Sequence, residues 1–524
     1  MKRKIIVSII VLIITSMLLL IIPKNKEDIL YAVTIDGKKV DSFPEHGNYN
    51  VNVKCDNATG KWNYTKWIVD VTEITGDYIC EVAFTTSNKQ NLNDYIISLN
   101  NQEVGDGLVT NEIVLIDDST FTAGDKISQS SYNNLSNDTT YPYTWNDTDK
   151  TWTSSNHTDS TTSTISFNVS STGDYQICYM QQSEKNYDYA TIKKDNSEIK
   201  SLKGISNTSY ECYYLGNLTT SNVITISYKK DGSSSTQPDN VVFYLQNGTY
   251  NQKYQNVNAG YRYEGSNPNN YILFNDELWR IIGVFDSTTH GADGNLVKII
   301  RNDSIGGLVY NTSHNLNSWG ESTLYKLLNQ ETGGSYYTGV DYTNKEKGTY
   351  CSSYAGYIPQ DCTFSKTGIR SGYTRNMIEK TKWYSTVYNK FVGTPTDTYK
   401  KDIITTTSTE GYIGLMYVSD YGYAVKASDC ARTIQLGSYG GSNGGSTNAL
   451  TCAGKNWLKL GQDESTISLY NNVYSFYVYA SGVINNSNCS VECSKAVRPT
   501  LYLKSDVYYV GGSGSYDDPI IIGY

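Results

Sequence analysis

YRYEGSNPNNYILFNDELWRIIGVF, residues 261–285, carries two apolar runs, 271–274 and 278–285, separated by Asn275-Asp276. Asn and Asp tolerate the left-handed backbone of a two-residue turn, so the segment reads as a tight antiparallel hairpin opening a domain. Arginine usage marks the same boundary. Seven of the eight arginines lie from Arg262 to Arg498, and none occurs from Lys4 to Gly260. Downstream, 322–329 and 375–391 read as helices, and AVRPTLYLKSDVYYV (496–510), a Gly511-Gly512-Ser513-Gly514 turn and 520–522 close the chain with strands. Residues 251–524 are therefore expected to form an α+β domain.

Upstream, strand signals dominate. VTIDGKKV, NYNVNVKC, WIVDVTEI and DYICEVAF alternate apolar and polar residues with period two, with a turn at Asp36-Gly37, which predicts a small all-β domain over 31–111. It ends in a short helix at 91–100 and a linker at Gly105-Asp106-Gly107. Residues 112–250 repeat the β pattern in TSTISFNVS, DYQICYMQQ, DYATIKKD, ECYYLGNL, NVITISYKK and NVVFYLQ. Strands at that spacing, with Gly, Asn and Ser between them, predict a β-sandwich.

At 524 residues the chain is too long for one core. Only 18% of residues are charged, 48 are Tyr and 43 are Gly, which suits short strands and polar turns. Acidic residues exceed basic ones by 52 to 43, and with no basic stripe nucleic acid is not an expected partner. Four scattered histidines, His46, His157, His290 and His314, leave no metal motif and no histidine-based triad in view. No catalytic residue is identified, and the chain is not expected to be an enzyme.

Residues 1–30 set the expected compartment. Lys2, Arg3 and Lys4 precede an uncharged run from Ile5 to Ile22, about 27 Å as a helix and enough to cross a bilayer. Two readings stay open, an uncleaved signal anchor and a signal peptide removed on export. Ten cysteines fall as neighbouring pairs, Cys55/Cys80, Cys178/Cys212, Cys351/Cys362, Cys430/Cys452 and Cys489/Cys493, without paired zinc knuckles. A disulfide framework outside the cytosol follows as the expectation.

The stretch 261–285, with Ser318-Trp319, Gly414-Leu415-Met416, Trp457-Leu458-Lys459 and Val497-Arg498-Pro499-Thr500-Leu501-Tyr502-Leu503-Lys504-Ser505, resembles an uncharacterised family of exported surface proteins of low-GC Gram-positive gut bacteria. The resemblance covers about 1–110 and 255–524, and it makes 113–255 look like an insertion. That insertion resembles carbohydrate-binding sandwich domains, and the C-terminal pattern is distantly similar to C-type-lectin folds. The resemblance implies a cell-surface protein whose partner is an extracellular glycan or a surface protein.

Candidate ligand contacts are aromatic. Tyr141, Tyr143, Trp145 and Trp152 cluster in YPYTWNDTDKTW, where flat rings beside Asn and Asp could stack on sugars; Tyr187, Asp188 and Tyr189 form a second group. Trp279, Arg280, Trp457 and Arg498 read as structural, the arginines as buried or rim partners of carboxylates. Asp117-Asp118 and Asp195-Asn196-Ser197-Glu198 offer oxygens to calcium but lack a fixed ligand periodicity, so they read as turns and no cofactor is expected. The Gly- and Ser-rich loop between Cys430 and Cys452 cannot pack a core and reads as surface. The chain is thus expected to be an adhesive surface protein; a cell-wall or glycan-acting enzyme and a structural spacer are the alternatives.

Overall fold

Two-residue turns set the strand registers. Asp36-Gly37 (φ 47° and 78°), Asp195-Asn196 (50° and 67°) and Asn275-Asp276 (59° and 58°) all take the left-handed backbone that matches the twist of flanking strands. The hairpin read at 271–285 is present, with Tyr271–Phe274 paired to Glu277–Phe285. The computed structural model describes residues 31–524 except 118, 155, 157, 185–186, 204–208, 233–239, 313–315, 330–368, 370–371, 386, 389–391, 406, 441–451 and 486–490. The apolar run at 5–22 lies outside the described residues. Among the described residues no helix is long and apolar enough to cross a membrane.

The chain forms two compact units, one of Met1–Val114 with Val257–Tyr524 and one of Leu115–Asn256. Strand Glu103–Asp117 leads out of the first unit and Tyr254–Pro268 leads back into it, and the two are neighbours in one sheet.

In the first unit, among the described residues, that sheet has seven strands. Ile413–Gly414, Thr500–Leu503, Leu296–Arg301, Glu277–Phe285, Tyr254–Pro268 and Glu103–Asp117 run in order across it, with Tyr271–Phe274 added beside Glu277–Phe285. A five-stranded sheet around Glu464–Leu469 and short helices, among them Leu92–Ser98 and Thr323–Leu328, complete an α+β body. A four-stranded sheet holds Tyr31–Ile35 against Cys80–Thr86 in parallel, over a core of Val33, Trp62, Trp67, Val69, Val82 and Phe84.

Two expectations fail here. Gly105-Asp106-Gly107 is strand and not linker, because glycine lets the neighbouring strand approach closely. A Cβ on Gly107 would lie 2.2 Å from the Glu264 carbonyl oxygen. Among the described residues, the helix read over 375–391 is only Tyr373–Asn376, followed by strand Thr381–Tyr384. Thr381 and Trp383 are buried while Lys382 is exposed, so period-two packing prevails over helical propensity.

The second unit is the predicted sandwich. One sheet contains Tyr143–Asn146, Thr151–Ser154, Asn240–Asn251, Gly173–Gln182, Glu211–Leu218 and Thr120–Lys126; the other contains Ser197–Lys203, Tyr189–Lys194, Ile224–Lys229, Thr162–Val169 and Tyr132–Asn137. Ile165, Phe167, Ile177, Ile192, Ile226, Phe243 and Leu245 fill the space between them.

Disulfides join Cys55 to Cys80, Cys178 to Cys212 and Cys430 to Cys452, as the spacing predicts. The first two link residues directly opposite in a ladder. Cys351, Cys362 and Cys489 lie outside the described residues, and Cys493 is disulfide-bonded. Among the described residues no cysteine is free. Three cross-links point to maturation in an oxidising, extracellular environment.

Two buried carboxylates of the first unit are paired with cations in place. Asp420 accepts from Arg262 and Lys298, all three being almost wholly buried. Arg498 grips both oxygens of buried Glu464, at 2.7 and 2.9 Å, and reaches the Leu458 carbonyl at 2.6 Å. Arg280, expected to meet a carboxylate, instead donates to the Asn270 side chain (2.7 Å) and the Pro268 carbonyl (3.2 Å). Its guanidinium lies 4.1 Å from the Tyr271 ring centre and 4.7 Å from that of Trp457. Two aromatic faces and neutral acceptors hold this cation in place of an anion. Trp279 is wholly buried, packed edge-on against Phe274, and Trp457 donates to the Tyr263 carbonyl at 2.7 Å.

Candidate functional site

Strand Asn240–Asn251 (NVVFYLQNGTYN) divides its side chains by parity. Val241, Phe243 and Leu245 enter the sandwich core, which leaves Val242, Tyr244, Gln246, Gly248 and Tyr250 on the outer face. Register then assembles that face. Tyr244 stands opposite Cys178, which is opposite Cys212, and Gln246 stands opposite Gln176, which is opposite Tyr214. On the other side Lys126 is opposite Gln246 and Phe121 is opposite Tyr250.

The result is an open face with two aromatic groups flanking amides. Tyr214 and Tyr250 stack at 3.9 Å, with Phe121 5.8 Å from Tyr214. Tyr210, 37% exposed, meets Tyr244 edge-on at 4.9 Å, and the Lys126 ammonium lies 4.0 Å from the Tyr244 ring centre. Gln176 donates to Gln246 at 2.9 Å. The Cys178–Cys212 bridge pins the two strands beneath. Gly248 permits the Phe121 ring to lie over the strand, since a Cβ there would be 2.5 Å from it.

The electrostatics keep Tyr210, Tyr214 and Tyr244 as neutral hydrogen-bonding groups. Burial pushes the Tyr210 and Tyr244 hydroxyls up. Burial and the Asp174 carboxylate push Tyr214 well above its ordinary value, and its hydroxyl donates to Asp174 at 2.8 Å. The Tyr250 amide and the Tyr214 hydroxyl hold Asp174 low, so it stays an acceptor. Half-buried rings, amides and one ammonium can stack on apolar faces of a sugar and exchange hydrogen bonds with its hydroxyls.

The residues singled out from sequence lie elsewhere. Trp145 pairs with Trp152 and Trp152 with Phe243, so the inward parity of Phe243 is imposed on both tryptophans and on Tyr143. Tyr143 and Trp152 are core, and Trp145 packs against that core from its edge. Tyr141 is half-buried in a turn, its amide donating to Asp138. Of the second group, Tyr187 is 55% exposed and Tyr189 half-buried under Lys229. Asp188 is wholly buried, 3.4 Å from the Lys230 ammonium, and closes a loop by accepting from the Glu184 and Asp231 amides. Three of the seven are therefore removed from any ligand by burial. Asp195 caps a turn, accepting from the Val223 amide and the Asn222 side chain. Asp118 lies outside the described residues, and among the described residues no group of three or more His, Cys, Asp or Glu is arranged to hold a metal ion.

The first unit adds a pair of carboxyls. The Arg432 Nη2 contacts both Glu112 and Glu264, and the two acids hydrogen-bond each other. Burial and the neighbouring Glu112 push Glu264 up to about 9 against the pull of Arg432. Burial also acts to raise Glu112, but hydrogen bonds from Glu264 and Arg432 bring it below the carboxylate range. The pair thus titrates as a unit, with Glu264 the more readily protonated member. Between the ordinary value near 4.5 and about 9 the folded chain binds a proton that the unfolded chain releases, so this group's share of stability falls as pH rises through that window. Glu264→Gln is expected to flatten the fall and to melt later than wild type near the upper end. Thermal melts of both proteins across the window check this; parallel curves would contradict it.

No family model matches the chain, and no curated protein matches it. Solved structures to which parts of the chain are similar include the secreted serine protease VesC from Vibrio cholerae (12% identity, 35% of this chain and 32% of that chain, TM-score 0.16). The chain thus spans about a third of VesC. Another is a low-affinity xylan-binding module from Roseburia intestinalis (8%, 25% and 96%, 0.17). A third contains a carbohydrate-binding module in complex with GlcNAc from Clostridium perfringens ZmpB (10%, 42% and 47%, 0.15). At TM-scores of this size the likenesses carry no argument for what this chain does.

Proposed function

We propose that this chain is a cell-surface binding protein of the exported family it resembles, and that its inserted sandwich recognises glycan through the outer face around Tyr244. Residues 5–22 would anchor it, or be removed on secretion. The reading is of a binding protein and not an enzyme. In the Glu112–Glu264 pair the Arg432 guanidinium touches both carboxyls, as in a structural tie.

The observation that carries the proposal is the open row Tyr210, Tyr244, Gln246, Gln176, Tyr214 and Tyr250, where two pairs of rings flank two amides on a disulfide-braced sheet. Rings in that setting contribute on the order of 1.4 kcal/mol each, about tenfold in Kd. The full chain is therefore expected to bind a subset of arrayed plant and mucin glycans. Tyr244→Ala and Tyr214→Ala should each weaken that binding about tenfold, while Tyr187→Ala should leave it unchanged. Equal binding by all four proteins would move the site elsewhere. No binding by any would favour a structural spacer.

A further inference from the structure

The first unit holds a cavity of about 290 Å³ whose lining is mostly polar. Arg375 and Lys380, from one segment, and Lys504, from another, line it together with Asn376, Ile378 and Tyr412, and Glu379 is the one acidic residue of the lining. In a chain of net charge −9 such a concentration of cations is unusual. The walls are fixed by the main chain. The Glu379 amide donates to the Tyr502 carbonyl and the Lys504 amide to the Met377 carbonyl, both at 2.9 Å, so the segment carrying Arg375 and Lys380 is clamped along strand Thr500–Leu503. The Lys504 ammonium is positioned by the Tyr524 hydroxyl at 2.9 Å and lies 5.1 Å from the centre of its ring. The Lys380 ammonium pairs with Glu410 at 3.1 Å, with both side chains at least half exposed. A pair so exposed is weak enough to open for a better-placed anion.

We infer that this cavity is a second binding site, for a small polar oxyanion, either a carboxylate borne on a sugar or a phosphoryl group. The lining offers three cations, an amide and a phenol against one aliphatic residue, Ile378, which suits a hydrated anionic group and disfavours an apolar ligand. This assignment is independent of the sandwich face and would stand if that face bound nothing.

The test is calorimetric titration of the full chain with sodium glucuronate and, separately, with sodium phosphate, at constant ionic strength set by chloride. Saturable binding of at least one is expected. Tighter glucuronate identifies the sugar acid as the ligand class, and tighter phosphate identifies the phosphoryl group. Lys504→Met with Arg375→Gln should weaken the preferred anion at least about tenfold, and the exposed Lys380→Gln alone by less. Lys39→Gln, on a hairpin that does not line the cavity, should not change it. If the double variant fails to fold, Lys380→Gln decides, because its surface position leaves folding intact. No saturable heat with either anion, or wild-type affinity in the cavity variants, would overturn the assignment.

Discussion

Asp420→Asn is expected to destabilise the first unit by about 3–5 kcal/mol, which for a domain of ordinary stability approaches loss of the fold. Asp420 sits in the first turn of helix Val418–Tyr423, where it also accepts from the Tyr417 amide at 2.9 Å. Burial pushes its carboxyl up, but Lys298 and Arg262 pull it below the usual range, so it stays ionised. The two cations are enclosed by rings: Lys298 lies 4.2 Å from the centre of Tyr417, and Arg262 lies 4.6 Å from that of Phe285 and 4.9 Å from that of Tyr423. Asparagine keeps the shape and removes the anion, leaving two desolvated cations facing each other. Lys298→Met should cost less, because Asp420 then keeps Arg262. Denaturant unfolding checks both, read on the transition of the first unit, with the sandwich transition as internal reference. A loss below about 1 kcal/mol for Asp420→Asn would show that water or rearrangement replaces the carboxylate.

The second large effect belongs to Arg498. Its two-pronged grip on Glu464 depends on a planar fork, which lysine lacks. Arg498→Lys should lower stability by roughly 2 kcal/mol or more, and Arg498→Met by about 3–5 kcal/mol, since methionine leaves a wholly buried carboxylate unpaired. Burial already pushes Glu464 up in the intact pair. The deficit of the methionine variant should therefore shrink on acidification, because a protonated Glu464 needs no cation. Melting temperatures unchanged in both variants would remove Arg498 from any locking role.

Local chemistry was the legible part of this fold. Asn275-Asp276 and Asp36-Gly37 announce tight turns because few residues accept a left-handed backbone, and the predicted turns are where the strands reverse. Cys55/Cys80 and Cys178/Cys212 were readable because the cysteines fall in neighbouring pairs along the chain, each pair bracketing one hairpin. What sequence hid was parity. Alternation in YPYTWNDTDKTW and NVVFYLQNGTYN shows that two faces exist, but the opposing sheet decides which of them is core. The same blindness turned a Gly-Asp-Gly strand into a linker, since close approach of a neighbouring strand leaves no local mark. The cue available for Tyr244, Gln246 and Tyr250 was their shared spacing of two and four, interrupted by Gly248. The aromatic–amide face itself depends on strands far apart in the chain, as does the meeting of Glu112 with Arg432.

The exit at Val114 and the return at Val257 lie on adjacent strands, so the chain resumes beside the point it left, about 5 Å away across one ladder spacing. Whatever occupies the interval need only begin and end side by side. Such an arrangement makes the intervening stretch an exchangeable cassette: recombination can substitute another module of quite different length while every hydrogen bond of the host framework is retained. Specificity and scaffold can then diverge at separate rates.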